Sequence, residues 1–512
     1  MTGPTSHPNV VIVLVDDMGY SDLGCFGGEI DTPNVDQLGR EGVRFTHFYN
    51  TARCSPSRAS LLTGRHPHET GIGILTDDER PMGYPGSLDP RFPTLAQLFS
   101  AQGYATCLSG KWHLSNSPNT PDETWPTRRG FDEFYGIMPG ADDYFHPRNL
   151  WHNEERQAPP TDPGYYFTDA IAEHAASFVT EHAGTEPFFV YLAFTAPHWP
   201  LHAPDESVQR YAHTFDEGWD VLRPRRLERL VAEGLLPGDT ELTQRDASQP
   251  AWDEVSDPEW QSRRMAVYAA QLEHMDRGVG RVLAAVEAAG ATDDTIVVFL
   301  SDNGACAEDM PPADSIHFAE RQPSTTPDGE PLQIGNRPSI VPGPDTTFAS
   351  YGQAWANLSN SPFRLYKRWV HEGGISTPLL VRWPAGLSAG RIVHEPYQLT
   401  DIAPTLLAAA GLNPADGPGV SMLSVARGER EHDDHTLVWE HVGNAAIRRG
   451  RWKLVREALQ EWELYDITLD RSELHDRAVQ NPQIVTELAA AWQDWADSVG
   501  VLPWPQVTHK AV

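Results

Sequence analysis

Residues 9–15, NVVIVLV, form an unbroken run of mostly β-branched apolar side chains. Alternation would mark a strand wetted on one face. A continuous run marks one buried on both faces, as in a parallel sheet. Residues 187–200 (PFFVYLAFTAPHWP) read as a second such strand, broken by Pro197 and Pro200, and TIVVFLSDNG (295–304) repeats the first pattern. YATCLSGKWHL (104–114) reads as strand into loop, and GGISTPLLVRWP (373–384) as a further strand. Between these runs the apolar positions take helical spacing. Helices are expected over 32–42, 92–104, 167–182, 265–290 and 400–411, several closed by Gly. Residues 204–262 are polar and punctuated by Trp and Pro, and are expected to form surface helices.

Near 425–435 the style changes to a charged, loop-like stretch, RGEREHDDH. TLVWEHVGNAAIRRGRWKLVRE (436–457) then reads as antiparallel hairpins with Gly turns, and 483–499 as a closing helix. The expected fold is α/β: a large mixed, mostly parallel sheet sandwiched by helices. A smaller C-terminal α+β domain with an antiparallel sheet follows it. The expected domains are 1–428 and 429–512.

Two of the buried strands end in the same chemistry. Asp16-Asp17 closes the first and Asp302-Asn303 closes the run at 295–301. Open α/β sheets bind ligands at the carboxyl ends of their strands. If the two strands share a sheet, four hard oxygen donors gather there, a set suited to Ca²⁺ or Mg²⁺ and not to zinc. Taken singly, each pair also reads as ordinary turn formers.

Composition then narrows the partners. The formal charge is −32, from 71 acidic against 39 basic residues, which repels phosphate backbones and argues against nucleic acid. Only four basic residues are lysines, at 111, 367, 453 and 510. In a chain that otherwise uses arginine, each lysine raises the question of what a compact, mobile point charge does there. The cysteines, Cys25, Cys54, Cys107 and Cys306, form no CxxC pair and suggest no disulfide framework. The first residues lack a basic leader, and the run 10–15 is too short for a secretory segment or a membrane span. The expectation is a cytoplasmic protein with no membrane partner.

Cys54 lies in 53-RCSPSRASLLTGRHPHETG-71, between Arg53 and Arg58. A nearby arginine can lower a thiol's pKa. A cysteine phosphatase, however, needs its arginine six residues on, and position 60 is Ser. The segment C-S-P-S-R-A-S-L-L-T-G-R (54–65) instead resembles the type I sulfatase motif, C-x-P-S-R-x-x-x-L-T-G-R, at every specified position. The resemblance extends along the chain. It includes VLVDDMGYSDLGCFGG, GKWHL (110–114), TAPHWPLHAP (195–204), FLSDNG (299–304), YKRWVHEGGISTPLLVRWP (366–384) and WELYDITLDRSELHD (462–476). It is closest in style to bacterial arylsulfatases.

The family resemblance implies an alkaline-phosphatase-like fold and a formylglycine at position 54, made from Cys54 by a maturation enzyme. One hydroxyl of the hydrated aldehyde attacks sulfur and the alcohol leaves. Deprotonation of the other hydroxyl then expels sulfate and restores the aldehyde. A serine there would be trapped as its sulfate ester. The resemblance further implies one Ca²⁺, in preference to Mg²⁺, held by Asp16, Asp17, Asp302 and Asn303 together with the modified Cys54. Arg58 would anchor the nucleophile, Lys111 would bind nucleophile and sulfate, and His113 would be the base of the second step. His198 and Lys367 would face the leaving oxygen, and Asp302 is a second candidate acceptor of the diol proton. The expected substrate is a small aryl or alkyl sulfate ester.

Two rivals are weighed. Phosphonate monoester and phosphodiester hydrolases share the fold and motif, but Lys111 and His113 stand here as in sulfatases. A non-catalytic binder of sulfated ligands would have lost the cysteine, a metal acid or a lysine, and none is missing. His66, His68, Asp78 and Asp143 are expected as surface polar residues in loops that could flank the pocket.

Overall fold

The computed structural model describes residues 7–310, 325–326, 328–413, 416–429 and 435–505. Ten strands form one mixed sheet: β1 (Asn9–Val15), β2 (Val43–Phe45), β3 (Ala105–Lys111), β4 (Glu133–Ile137), β5 (Leu150–His152), β6 (Glu155–Arg156), β7 (Phe188–Ala193), β8 (Thr295–Ser301), β9 (Leu379–Arg382) and β10 (Arg391–Val393). Their spatial order is β10-β2-β9-β8-β1-β7-β3-β4-β5-β6. The central five, β8-β1-β7-β3-β4, are parallel throughout. This is the expected mostly parallel α/β sheet.

The continuous apolar runs are explained by burial on both faces. Val11, Val13 and Val15 of β1 point into one core, with α1 (Pro33–Glu41), α3 (Phe167–His182) and α5 (Pro258–Ala288). Val10, Ile12 and Leu14 point into the other, with α2 (Cys54–Thr63) and α6 (Ile402–Ala409). From Val10 to Val15 alternate residues therefore serve opposite cores, and no position among them is left for a polar side chain.

Three expectations need correction. The helix expected from 265 begins at Pro258, where Pro occupies the first turn and its missing N–H costs nothing. In 373–384, residues Glu372–Ile375 form a helical turn and only Leu379–Arg382 a strand, antiparallel to β8. Within 204–262, α4 (Trp219–Ala232) is more than a surface helix. It buries Trp219, Leu222 and Leu230, and Arg226 pairs with Asp22 and Glu29, each at 2.8 Å.

The charged stretch before the last domain lies partly outside the described residues. Beyond it, β11 (Leu437–His441), β12 (Asn444–Arg449), β13 (Trp452–Arg456) and β14 (Glu463–Asp466) make an antiparallel sheet in sequence order. One face packs on α7 (Pro482–Val499) through Leu488, Trp492 and Ala496. The other buries Trp439, Val455 and Tyr465 against Tyr49, Val370 and Ile375 of the large domain. A polar network seals that contact. Lys453 lies 2.8 Å from both Glu372 and Glu473, and Arg471 lies 3.2 Å from Glu372. Among the described residues no helix is long and apolar enough to cross a membrane.

Candidate active site

Register builds the site. Val15 pairs with Ser301, so Asp16 and Asp302 leave adjacent parallel strands side by side. Gly110 pairs with Ala193, so Lys111 and the loop carrying His198 emerge at the same edge. Gly110 has φ +120°, and a Cβ there would lie 1.9 Å from the Ala193 carbonyl oxygen. Only glycine permits this approach, and it delivers Lys111 into the site.

The charges at this edge alternate. Asp16, Asp302, Arg58 and Lys111 are fully buried, and Asp17 and Lys367 nearly so. Lys111 Nζ donates to Asp16 Oδ2 at 2.5 Å, and Lys367 Nζ to Asp17 Oδ2 at 2.9 Å. Arg58 Nη2 donates to Asp302 Oδ2 at 2.8 Å and lies 3.5 Å from Asp16 Oδ2, while its Nη1 donates to the Lys111 carbonyl oxygen at 3.1 Å. Burial favours neutral Asp16, but Lys111, His198 and Arg58 together hold its carboxyl far below the usual range. Asp302 goes the other way, pushed up by burial and by the charge of Asp16.

The residues present fit a hard cation. Asp16 Oδ1 and Asn303 Oδ1 are buried acceptors without a hydrogen-bond partner. Such orphaned oxygens are rare in a folded core unless something else engages them. Carboxylate oxygens of Asp16 and Asp17 and a ring nitrogen of His198 lie within 4.8 Å of one another. Asn303 Nδ2 donates to Asp17 Oδ1 at 2.6 Å, and the Asp17 N–H to Asp302 Oδ1 at 3.2 Å, so all four predicted oxygen donors belong to one cluster. Asp17 sits at φ +69°. For a non-glycine residue this conformation costs on the order of 1–3 kcal/mol, held by the surrounding fold.

Cys54 is the first residue of α2 and is buried. Arg58 follows one turn later on the same side of the helix. The Cys54 Sγ lies 3.5 Å from His113 Nδ1. His113 also has positive φ, +54°, and Gly140 leaves room for its ring, since a Cβ there would lie 2.6 Å from a ring carbon. Burial, then Lys111 and Arg58, hold the His113 imidazole well below its ordinary pKa. His198 is lowered by burial as well. Its Nδ1 donates to the Trp199 carbonyl oxygen at 2.6 Å, which turns Nε2 toward Asp17 at 3.4 Å. Tyr144 Oη donates to the His198 carbonyl oxygen at 2.8 Å.

The fold thus brings together Cys54, Arg58, Lys111, His113, His198, Lys367, Asp16, Asp17, Asp302 and Asn303. It does not bring in the four flanking residues. His66 and His68 are buried, not on the surface: both lie edge-on to Trp495 of α7, and His68 Nε2 is 2.8 Å from Glu440. Asp78 is exposed and paired with Arg80. Asp143 is partly buried and accepts the backbone N–H groups of Phe145 and His146.

Sequence reading missed Glu308, which pairs with Arg53 at 2.6 Å and accepts from Trp199 Nε1. A cavity of about 220 Å³ opens beside them, lined by Arg53, Ile74, Glu308, Lys367, Arg368 and Trp369. Glu308 follows a strand end by seven residues with no pattern of its own. Its one sequence signal was position downstream of Asp302-Asn303.

Three buried cations interleaved with cation-binding acids, at the carboxyl edge of a parallel sheet, make a receptor for a tetrahedral oxyanion. A nucleophile-bearing helix facing it defines a hydrolase of phosphate or sulfate esters. Comparison with known families decides between these: the Sulfatase family matches residues 8–412, and the chain belongs to it. The C-terminal family described as N-sulphoglucosamine sulphohydrolase, C-terminal, matches residues 363–494. The chain is 32% identical to an uncharacterized sulfatase of Schizosaccharomyces pombe, over 98% of this chain and 95% of that one. It is 33% identical to an arylsulfatase of Klebsiella aerogenes, over 82% of this chain and 91% of that one. The structure of Ps i-CgsB in complex with k-i-k-neocarrahexaose superposes with TM-score 0.68 at 25% identity, covering 96% of this chain and 93% of that one. The chain is a sulfatase, an enzyme of sulfate ester hydrolysis.

Proposed function

We propose that this sulfatase cleaves a small aryl or alkyl sulfate, using a formylglycine made from Cys54 and one Ca²⁺. The observation that carries the reading is the placement of Cys54. It opens α2 next to His113, one turn from an arginine that reaches both Asp302 and Asp16. A hydrated formylglycine at position 54 supplies one hydroxyl to attack sulfur and a second whose deprotonation releases sulfate. Asp16, Asp17, Asp302, Asn303 and residue 54 would hold the Ca²⁺, which would supply positive charge to offset that of the sulfate.

The remaining roles belong to side chains. Arg58 holds residue 54 in place and favours its ionised form. Lys111 and Lys367 place two ammonium charges where sulfate oxygens bind, in a buried site where each charge counts for more than in water. His113, kept neutral by burial and by two cations, takes the proton from the second hydroxyl. His198, with Nδ1 engaged by a carbonyl, presents Nε2 to the leaving oxygen, and Lys367 stands beside it. Asp302, its carboxyl raised by burial, is a second acceptor for the diol proton.

Ile74 and Trp369 give the adjoining cavity apolar wall, which supports an aryl or alkyl leaving group. Similarity to the Klebsiella arylsulfatase supports the same class. All four cysteines are free thiols, which supports placement in a reducing cytoplasm, where a maturation enzyme would act on Cys54. The large domain is taken as residues 1–428 and the C-terminal domain as 429–512.

The test is peptide mass spectrometry around Cys54 on protein shown to hydrolyse 4-nitrophenyl sulfate. Active protein should carry the aldehyde, in which one oxygen replaces the sulfur and two hydrogens of the thiol. Fully active protein carrying only thiol would overturn the mechanism.

A further inference from the structure

At the other end of the parallel strands a second cluster has metal-ligating character. Glu133 opens β4 and pairs in register with Cys107, four residues before Lys111, roughly 13 Å down the strand from the catalytic edge. His152 ends β5, the neighbouring strand, which pairs onward with the edge strand β6, and His174 reaches in from α3. Their ligand atoms lie within 4.8 Å of one another. His174 Nε2 is 2.8 Å, and His152 Nε2 3.6 Å, from the same oxygen, Glu133 Oε1. These spacings bracket the roughly 3.3 Å between ligand atoms that tetrahedral zinc requires.

The surroundings prepare His174 as a ligand. Ser109 Oγ spends its only proton on the Ile171 carbonyl oxygen at 2.7 Å, so toward His174 Nδ1, 3.2 Å away, it can only accept. The Cys107 Sγ lies 3.9 Å from the same nitrogen, and a proton on Nδ1 serves both neighbours as acceptors. In the neutral ring with that tautomer, Nε2 holds a lone pair beside the Glu133 carboxylate, and the two can ligate one cation together; the cation-free alternative is an imidazolium–carboxylate pair. A hydrogen bond from the non-ligating nitrogen is the usual outer support of a zinc-bound histidine. Tyr135 stacks on His174 with ring centroids 5.1 Å apart and walls one side, while His152 and Glu133 leave the other open to water. Two imidazoles, one carboxylate and an open fourth position favour Zn²⁺ over the hard cation expected at the catalytic edge.

We propose that Glu133, His152 and His174 form a zinc site that clips the edge hairpin of the large sheet to α3. It is separate from the catalytic centre and does not rest on the catalytic reading.

The test uses the full-length protein saturated with Ca²⁺, so that hard-oxygen sites are filled. Zn²⁺ is titrated against a chromophoric chelator for the natural sequence, His152→Ala and Glu133→Gln. Co²⁺ is then used as a spectroscopic substitute. The expected result is one zinc equivalent and a tetrahedral Co²⁺ visible spectrum. Each variant should weaken zinc binding by at least roughly 10–100-fold and lose the Co²⁺ band. Hydrolysis of 4-nitrophenyl sulfate should be unchanged. His152 is half exposed, so its variant folds and keeps the test decisive. No stoichiometric zinc uptake, or equal affinity in both variants, would mean an imidazolium–carboxylate pair only and would overturn the proposal.

Discussion

Lys111 and Asp16 meet at 2.5 Å although they close strands that are not neighbours: β7 runs between β3 and β1. Both side chains are fully buried. Breaking such a pair leaves an uncompensated charge in the core. Lys111→Met should therefore cost about 3–5 kcal/mol of stability. If Lys111 binds sulfate, kcat/KM should also fall on the order of 10²–10³-fold. Denaturant melts and steady-state kinetics of Ca²⁺-loaded protein check the two effects separately. Intact kinetics would remove Lys111 from the catalytic set.

Cys54→Ser separates the diol mechanism from a simple nucleophile. Serine can accept sulfate but lacks the second hydroxyl needed to expel it. The variant should show at most one turnover and accumulate a sulfated peptide containing residue 54. Mass spectrometry after incubation with 4-nitrophenyl sulfate reads this out, and sustained turnover would refute the diol.

Chelation should silence the enzyme. Asp16 Oδ1 and Asn303 Oδ1 have no protein donor, so their engagement depends on the cation. Ca²⁺ should restore activity after exhaustive chelation. It should stabilise the fold by about 4 kcal/mol at a thousandfold excess over Kd. A melting temperature insensitive to Ca²⁺ would contradict the assignment.

His66 should make stability fall at acid pH. Burial, with the charges of His68 and Arg65, lowers its pKa from 6.5 to about 3. Between these values the unfolded chain binds a proton that the folded chain refuses. Stability is therefore fully present above about pH 6.5 and is lost as pH falls toward 3, by at most about 5 kcal/mol from this residue. His66→Phe, which keeps a ring against Trp495, should flatten that slope. Urea midpoints measured from pH 4 to 7 test it.

Lys453 should matter for stability and not for turnover. It neutralises Glu372 and Glu473 where the two domains meet. Lys453→Met should destabilise by about 3–5 kcal/mol, with kcat per folded molecule retained. Comparable loss of kcat would show that the domain contact shapes the catalytic edge.

The scarcity of lysine was informative, but it carried two different messages. Lys111 and Lys367 stand in the site, as their motifs implied. Lys453, equally buried, holds two domains together. No local pattern distinguishes these uses, because the partners of Lys453 lie at 473, twenty residues on in the same domain, and at 372, which reaches it only when the domains dock. His66 and His68 misled in a related way. Their loop is polar in sequence, yet Trp495, more than four hundred residues later, covers it.

What the sequence determined by itself were the properties set by local physics. Short, unbroken, mostly β-branched runs read as doubly buried strands, and they are. Acids at the ends of two such strands marked one candidate site on condition that the strands share a sheet, which they do. The dozen residues from Cys54 carried the nucleophile and its arginine through their resemblance to the sulfatase motif, while the helix that sets the two one turn apart came from the structure. Tertiary structure alone decided which acid meets which base, the raised carboxyl of Asp302 against the lowered one of Asp16, and the Arg53–Glu308 pair beside the cavity. The reason is that electrostatics depends on distance through space and on exclusion of water, and neither is defined until non-adjacent strands are in register and packed.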